Sequence, residues 1–408
     1  MKCEWNTYTV QQLIDMGMIE PPMDGNHGAI HPKASDYVSN GIPFIMANDL
    51  VDGKVDYHNC AFITKTQAST LRKGFAKPGD VLLTHKATIG RTAIVSDEYD
   101  TIILTPQVTY YRVIKGLNRR YLKYYFDSNT FQHLFSNWAG AGSTRAYLGI
   151  TAQRKLPIAV PPTEIQNAIA DICGSLDDKI ELNNKINENL EQQAMASFKS
   201  WFVDYMPYGG TAPKEWRNII LDNITSLVTR GIAPKYSDDS DQTVINQKCI
   251  RNHMIDLSLA RKHTPKTINE KWLQYGDLLI NSTGTGTLGR TAQVWFEPKN
   301  LTVDSHVTIA RPAKENLIFY IGLWGISNEK EIESLHTGST GQTELPRERV
   351  KAMELLLPDN ETLDRFNAII APMAAAIVSN QEENQRLAEI RDALLPKLMS
   401  GELVVPQG

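Results

Sequence analysis

Between about Thr163 and Phe202, apolar side chains recur at intervals of three and four residues: Ile165, Ile169, Ile172, Leu176, Ile180, Ile186, Leu190 and Phe198. Such spacing gathers them on one face of an α-helix. The segment is far longer than the ~11–12 residues of an average helix. The same pattern returns 197 positions later, from about Glu361 to Met399, where Phe366, Ile369, Met373, Ile377 and Leu387 stand for Ile169, Ile172, Leu176, Ile180 and Leu190. Asn183 and Asn187 fall on Asn380 and Asn384. These four occupy or border the apolar seam, where a buried Asn costs stability but fixes the register of a helix pair. Gly174 and Pro372 lie at nearly the same place in the two copies. Each copy is therefore expected to be a short helix, a kink and a long helix. The two copies are expected to pack on each other and hold two domains apart.

The intervening stretches repeat as well. Glu4-Trp5 opens the first and Glu215-Trp216 the second. KPGDVLLTHKATIGRTAIV (77–95) matches QYGDLLINSTGTGTLGRTAQV (274–294): a Gly-Asp turn, a strand, a polar loop and a Gly-Arg-Thr-Ala return. TPQVTYYR (105–112) matches DSHVTIAR (304–311), sharing Val-Thr and Arg. A helical run follows in each, then AGAGSTR (139–145) and HTGSTGQ (336–342), both with Gly-Ser-Thr. Strands LPIAVPP and MELLLPD close the units, and prolines 161 and 358 stop them just before the long helices. The predicted organisation is one αβ unit duplicated in a mixed α/β (α+β) fold: domains at 1–162 and 206–358, helical regions at 163–205 and 359–408, in a pseudo-twofold arrangement.

Composition changes this picture only where charge is concerned. The 408 residues are 42% hydrophobic and 22% charged, as in ordinary globular domains, and no apolar run approaches a membrane span. The N-terminus carries no apolar signal core, and the four cysteines form no CxxC pair, so a reduced cytoplasmic protein is expected. The net charge of −4 is unevenly spread. Residues 163–200 hold seven acids and three bases, and residues 359–403 eight acids and four bases, so the remainder carries +4. The helices are acidic and the globular parts mildly basic, which permits nucleic-acid contact by the globular parts.

The whole chain resembles the specificity (S) subunit of type I restriction–modification enzymes. The match is carried by VPPTEIQ (160–166), LDDKIELNN (176–184), FKSWF (198–202) and LLPKLMSGE (394–402). The second copy departs from the family in reading PDNETLDRF (358–366), where a Glu-Gln pair is usual. The resemblance implies two target recognition domains alternating with two antiparallel spacer helices, with each domain reading one half of a bipartite, asymmetric site in double-stranded DNA. It also implies two modification subunits that bind S-adenosylmethionine and methylate adenine, docked on the helices, and restriction subunits with translocase and nuclease activity.

No catalytic motif supports an enzyme. The two Pro-Pro pairs lack the Asn/Asp-Pro-Pro-aromatic order of adenine methyltransferases, and neither a P-loop nor a zinc-site spacing occurs. Gly284–Gly289 spells GxGxxG, but the following RTAQVWF reads as a strand, so a hairpin loop is expected and no cofactor. Asp177-Asp178-Lys179 is read as a solvated helix face. Candidates for DNA contact are side chains of the matched loops: Lys86, Arg91, Ser143, Thr144, Arg145, Asn281, Ser282, Thr283, Arg290, Ser339, Thr340 and Gln342. Arg and Lys suit guanine edges and phosphates, and Asn and Gln suit adenine. Arg91 and Arg290 recur in both copies, which favours a structural or phosphate role. Lys86, Asn281, Arg145 and Gln342 differ between the copies and are the better base-reading candidates. Two other classes remain open, the specificity module of another methylation or restriction system and a coiled-coil scaffold that binds no DNA.

Overall fold

The four residues Val81–Thr84 are buried throughout, without the alternation of a half-exposed strand. The reason is that both faces of their sheet are covered in the computed structural model, which describes residues 5–140, 146–264, 266, 268–338 and 343–403. Val81 and Leu83 pack with Tyr121, Phe126, Phe131 and Phe135 of the helices Arg119–Asp127 and Asn129–Trp138. Leu82, on the other face, packs with Ile45, Ile102 and Leu104 of a second sheet. A short apolar run of this kind is the signature of a strand buried on both sides.

The chain divides into two units, residues 1–180 with 385–408, and residues 181–384. In the first, Asn6–Thr9 pairs antiparallel with Pro157–Val160, joining the two ends of the globular part. One sheet has the order Met23–Asp24, Val108–Tyr111, Val81–Thr84, Thr92–Ile94, all antiparallel. The other runs Ala61–Ile63, Ile42–Ile45, Ile102–Leu104, Phe75–Ala76, with its central pair parallel. The second unit repeats this plan. Arg217–Ile220 pairs with Glu354–Leu357, and the main sheet is ordered Thr225–Arg230, Val307–Pro312, Leu278–Asn281, Thr291–Gln293. Thr243–Ile245 and Leu301–Val303 form the matching parallel pair. Small hairpins Leu50–Val55 and Ile250–Ile255 turn through Asp52-Gly53 (φ 49° and 79°) and Asn252-His253 (φ 48° and 58°), the left-handed pair a tight hairpin requires.

The repeated motifs form the frame of each unit. Asp80 accepts the Lys77 N–H at 2.8 Å and a two-pronged bond from Arg112, Nε at 2.9 Å and Nη2 at 2.7 Å. Asp277 does the same with the Gln274 N–H at 2.8 Å and with Arg311, both prongs at 2.8 Å. The Thr of Gly-Arg-Thr-Ala is equally occupied: the Thr92 hydroxyl donates to Asp127, and Thr291 donates through N–H (2.5 Å) and hydroxyl (3.0 Å) to Glu329.

The two long helices are Thr163–Phe202 and Asn360–Met399, 40 residues or ~60 Å each. Both run through the expected break points. Gly174 is a packing position: a Cβ there would lie 2.4 Å from the Arg120 guanidinium, which spans it to pair with Asp178 at 2.6 and 2.8 Å. Pro372 and Ala368, whose carbonyl loses a donor, lie on the exposed face, where water can replace the missing bond. The start of the second helix is capped by Asp359, which accepts the Thr362 N–H at 2.9 Å and hydroxyl at 2.8 Å.

The seam also differs from expectation. Ile186 and Leu182 are 40% and 52% exposed, while Asn183 and Asn187 are buried at 0% and 5%. Within the second unit the asparagines interlock. Asn183 Nδ2 donates to Asn384 Oδ1 (2.9 Å) and Glu383 Oε2 (2.7 Å), Asn384 Nδ2 to Asn184 Oδ1 (2.8 Å), and Asn380 Nδ2 to Asn187 Oδ1 (2.8 Å). A rising number on one strand of contacts meets a falling number on the other, so the segments are antiparallel and this polar layer sets their register. In the first unit Asp177 is not a solvated residue. It is half-buried and bonded to Arg391 Nη1 (2.6 Å) and Tyr124 OH (2.6 Å), with Lys123 Nζ at 3.7 Å. Burial opposes its charge, but these partners hold its carboxyl below the usual carboxylate range.

Candidate nucleic-acid interface

The loops singled out by the repeat lie at the same end of each unit's main sheet. In the first unit Thr84 pairs with Val108, the His85 N–H donates to Gln107 O at 2.9 Å, and His85 O accepts from Leu148 N at 3.0 Å. In the second, Asn281 pairs with Val307, Ser282 N–H donates to His306 O at 2.8 Å, and Ser282 O accepts from Leu345 N at 2.8 Å. The register makes Thr84 equivalent to Asn281, Lys86 to Thr283 and Gln107 to His306. The segments beside the Gly-Ser-Thr loops come to the same place: Lys86 bridges to Tyr147, and Thr283 bridges to Glu344.

Asn281 and Ser282, expected as loop side chains, are inside the protein at the end of strand Leu278–Asn281. Asn281 Nδ2 donates to Gln247 O at 3.0 Å and the Ser282 hydroxyl bonds Thr308 Oγ1 at 2.6 Å, so both serve the frame. Arg91 is exposed, yet its Nη1 donates to Leu50 O at 3.2 Å and pins the small hairpin. Arg290 is half-buried, Lys86 exposed, and Thr283 half-buried with its hydroxyl 2.7 Å from His306 Nδ1. Ser143, Thr144, Arg145, Ser339, Thr340 and Gln342 lie outside the described residues. The GxGxxG segment Gly284–Gly289 joins the antiparallel strands Leu278–Asn281 and Thr291–Gln293, as a hairpin loop.

Sequence reasoning missed the residues facing these loops across the sheet. Beside Lys86 opens a cleft of about 290 Å³ lined by His27, His31, Tyr37, Thr105 and Gln107, among others. One lining residue, His27, belongs to an ionic cluster around the buried Asp24. Asp24 accepts from Lys73 Nζ at 2.5 Å and His27 Nε2 at 2.8 Å. Burial pushes the Asp24 carboxyl up, but Lys73 and His27 outweigh it and leave it below its ordinary value. His85, wholly buried next to Asp24, is pushed down to about 4 by desolvation, so it is a neutral ring donating from Nδ1 to Leu148 O at 3.1 Å. In the second unit the place of Asp24 is taken by Arg230, which pairs with Glu344 at 2.5 Å and bonds Leu345 O at 2.8 Å. The signal was in the sequence: the residues before the shared Val-Thr read Thr-Pro-Gln in one copy and Asp-Ser-His in the other.

Among the described residues there is no grouping of His, Cys, Asp and Glu suited to a metal ion, and no helix long and apolar enough to cross a membrane. Cys60, Cys173 and Cys249 are buried free thiols; burial pushes Cys60 and Cys173 up to about 11.

Known proteins agree with this arrangement. The family model for the type I restriction modification DNA specificity domain matches residues 4–192. The type I restriction enzyme MjaIX specificity subunit of Methanocaldococcus jannaschii is 27% identical over 406 residues, covering 92% of this chain and 90% of that protein. The HindI specificity subunit of Haemophilus influenzae is 24% identical over 441 residues, covering 89% and 94%. In fold, the crystal structure of the type I restriction–modification S subunit from M. genitalium superposes over 97% of this chain and 96% of that one, with TM-score 0.58 at 13% identity. The duplicated unit and the paired 40-residue helices thus go with similarity to type I specificity subunits along nearly the whole chain, and residues 4–192 match the DNA specificity domain of that family.

Proposed function

We propose that this chain is the non-catalytic DNA-recognition subunit of its complex, with each globular domain reading one half of a bipartite, asymmetric site in double-stranded DNA. The observation that carries this reading is the duplication itself. One frame is built twice, down to the same bidentate Asp–Arg pair, while the side chains at one end of the main sheet differ between the copies. A shared frame with divergent tips is what two different sequences require. The long helices set the distance between half-sites and dock two modification subunits that bind S-adenosylmethionine and methylate adenine; restriction subunits complete the enzyme. Lys86, Arg91, Thr283 and Arg290 are the candidates for DNA contact that remain at the surface; Ser143, Thr144, Arg145, Ser339, Thr340 and Gln342 stay candidates from the sequence alone. The chain works in the cytoplasm, where its DNA is.

The test is a titration. The isolated chain should neither bind S-adenosylmethionine in calorimetry nor methylate or cut DNA, and mixed with its modification subunit it should shift duplex DNA in a gel. Micromolar cofactor binding by the isolated chain, or a mixed complex that leaves duplex DNA unshifted, would remove this reading.

A further inference from the structure

We infer that Lys86 and Gln107 form a guanine-reading pair in the first domain, and that Thr283 and His306 hold the corresponding, chemically different positions in the second. This assignment rests on the recognition reading above and names where that recognition is done.

The ladder Thr84–Val108 and the bond from His85 N–H to Gln107 O have their counterparts in Asn281–Val307 and Ser282 N–H to His306 O. The backbone beside them is fixed to the same degree: a Cβ on Gly25 would lie 1.9 Å from Leu104 O, and one on Gly231 1.9 Å from Val303 O. Hence the two pairs of side chains project from the same points of one scaffold. What differs is only what they offer.

In the first domain the pair offers donors. Lysine has three N–H donors and no acceptor. Gln107 has one acceptor, and its Oε1 is already taken by the Ala47 N–H at 3.1 Å. Its two amide hydrogens have no protein partner among the described residues. Both side chains line the same open cleft, with Thr105 beneath them, 4% exposed and with its hydroxyl unpaired. In the major groove only guanine presents two adjacent acceptors, N7 and O6, and nothing else on that edge. A donor-only pair complements guanine and is mismatched to the amino groups of adenine and cytosine. In the second domain Thr283 Oγ1 and His306 Nδ1 bond each other at 2.7 Å. Hydroxyl and imidazole can each donate or accept, so this pair has no donor-only character and suits a different base. A phosphate would also attract Lys86, but the fixed Gln107 amide adds direction that a phosphate contact does not need.

The experiment uses the full chain assembled with its modification subunits and a duplex library in which each position of the recognised site is varied singly. Lys86→Ala and Gln107→Ala should each lower affinity for the cognate site about 5- to 150-fold. They should flatten the preference at one guanine of one half-site and leave the other half-site unchanged. Gln107→Glu keeps the shape but replaces donors by acceptors, so preference at that position should move from guanine toward cytosine. His306→Ala should alter only the other half-site. Thermal melts of each variant establish folding. A uniform loss over all sequences would make these phosphate contacts and overturn the assignment, as would an unchanged preference or a change in both half-sites. A wild-type complex that shifts DNA with no sequence preference would sink the recognition reading itself, and the assignment with it.

Discussion

Asp80 and Asp277 sit in the same turn, accept the same backbone N–H and grip the same arginine, whereas Gln107 and His306, on the neighbouring strand's end, share only a backbone position. The two domains thus differ in where substitution is tolerated. A buried carboxylate with a bidentate guanidinium is committed, since loss of either partner strands a charge in the interior. A side chain at the rim of a cleft leaves the fold indifferent to its chemistry. A second contrast lies where each domain meets its own long-helix segments. The first uses Lys123, set between Asp127 at 2.9 Å and Asp177 at 3.7 Å. The second uses His253, between Glu191 at 2.5 Å and Glu329 at 3.6 Å. Both acids anchored by the Gly-Arg-Thr-Ala threonines take part, so the same clamp is made with different cations.

The strongest way to test the shared frame is to remove it in each copy. Asp277→Ala should destabilise by ~3–5 kcal/mol, because it leaves Arg311 uncompensated, and Asp80→Ala by somewhat less, because Arg112 keeps Glu20 at 3.1 Å. Denaturant unfolding should show a loss for both, larger for Asp277→Ala; a loss confined to one copy would mean that the frame is not equivalent.

A smaller effect is expected in the helix pair. Asn183→Ala removes the buried amide that donates to Glu383 and Asn384 and should cost ~1–3 kcal/mol. An Asn183→Leu variant that is more stable but no longer holds one register, read from cysteine cross-linking between the helices, would separate the two roles of the polar layer.

The smallest effect separates the clamps by pH. The bonds to Glu191 and then Glu329 outweigh burial and raise His253 to about 9. A raised folded value means that the contribution is complete below the unfolded value of ~6.5 and is lost as pH rises through about 9. With the ring partly open to solvent, the loss should be no more than about 1 kcal/mol. The urea midpoint should therefore fall between pH 7 and 10 in the wild type. It should fall less in His253→Asn, which keeps a residue tolerant of the left-handed turn. Equal falls in both would remove His253 from the account.

Much of this architecture is legible in the sequence, because helical periodicity, Gly-Asp turns and repeated asparagines act through local geometry. The interlocked asparagines are a case in point: their recurrence signalled register, and the side chains do bond across the pair. The misreadings have a common cause. Gly174 and Pro372 look like breaks only when a helix is considered alone; Arg120 fills the glycine's space, and Ala368, whose carbonyl Pro372 leaves without a donor, lies on the exposed face. Asn281 looks like a loop residue until register assigns it to a strand and buries it. Gln107 and His306 sit beside a recognisable Val-Thr match that draws attention from them, and only the neighbouring strand shows what they face.

The central claim is that two domains read two half-sites whose separation the helices set. Inserting four residues after Leu190 and four after Leu387 lengthens each helix by ~6 Å, which corresponds to about two base pairs of DNA. The direct measurement is the methylated DNA motif made by the complex carrying this variant, mapped beside that of the wild type. The account predicts the same two half-sites with about two more base pairs between them. An active variant that methylates the original motif at its original spacing would contradict it.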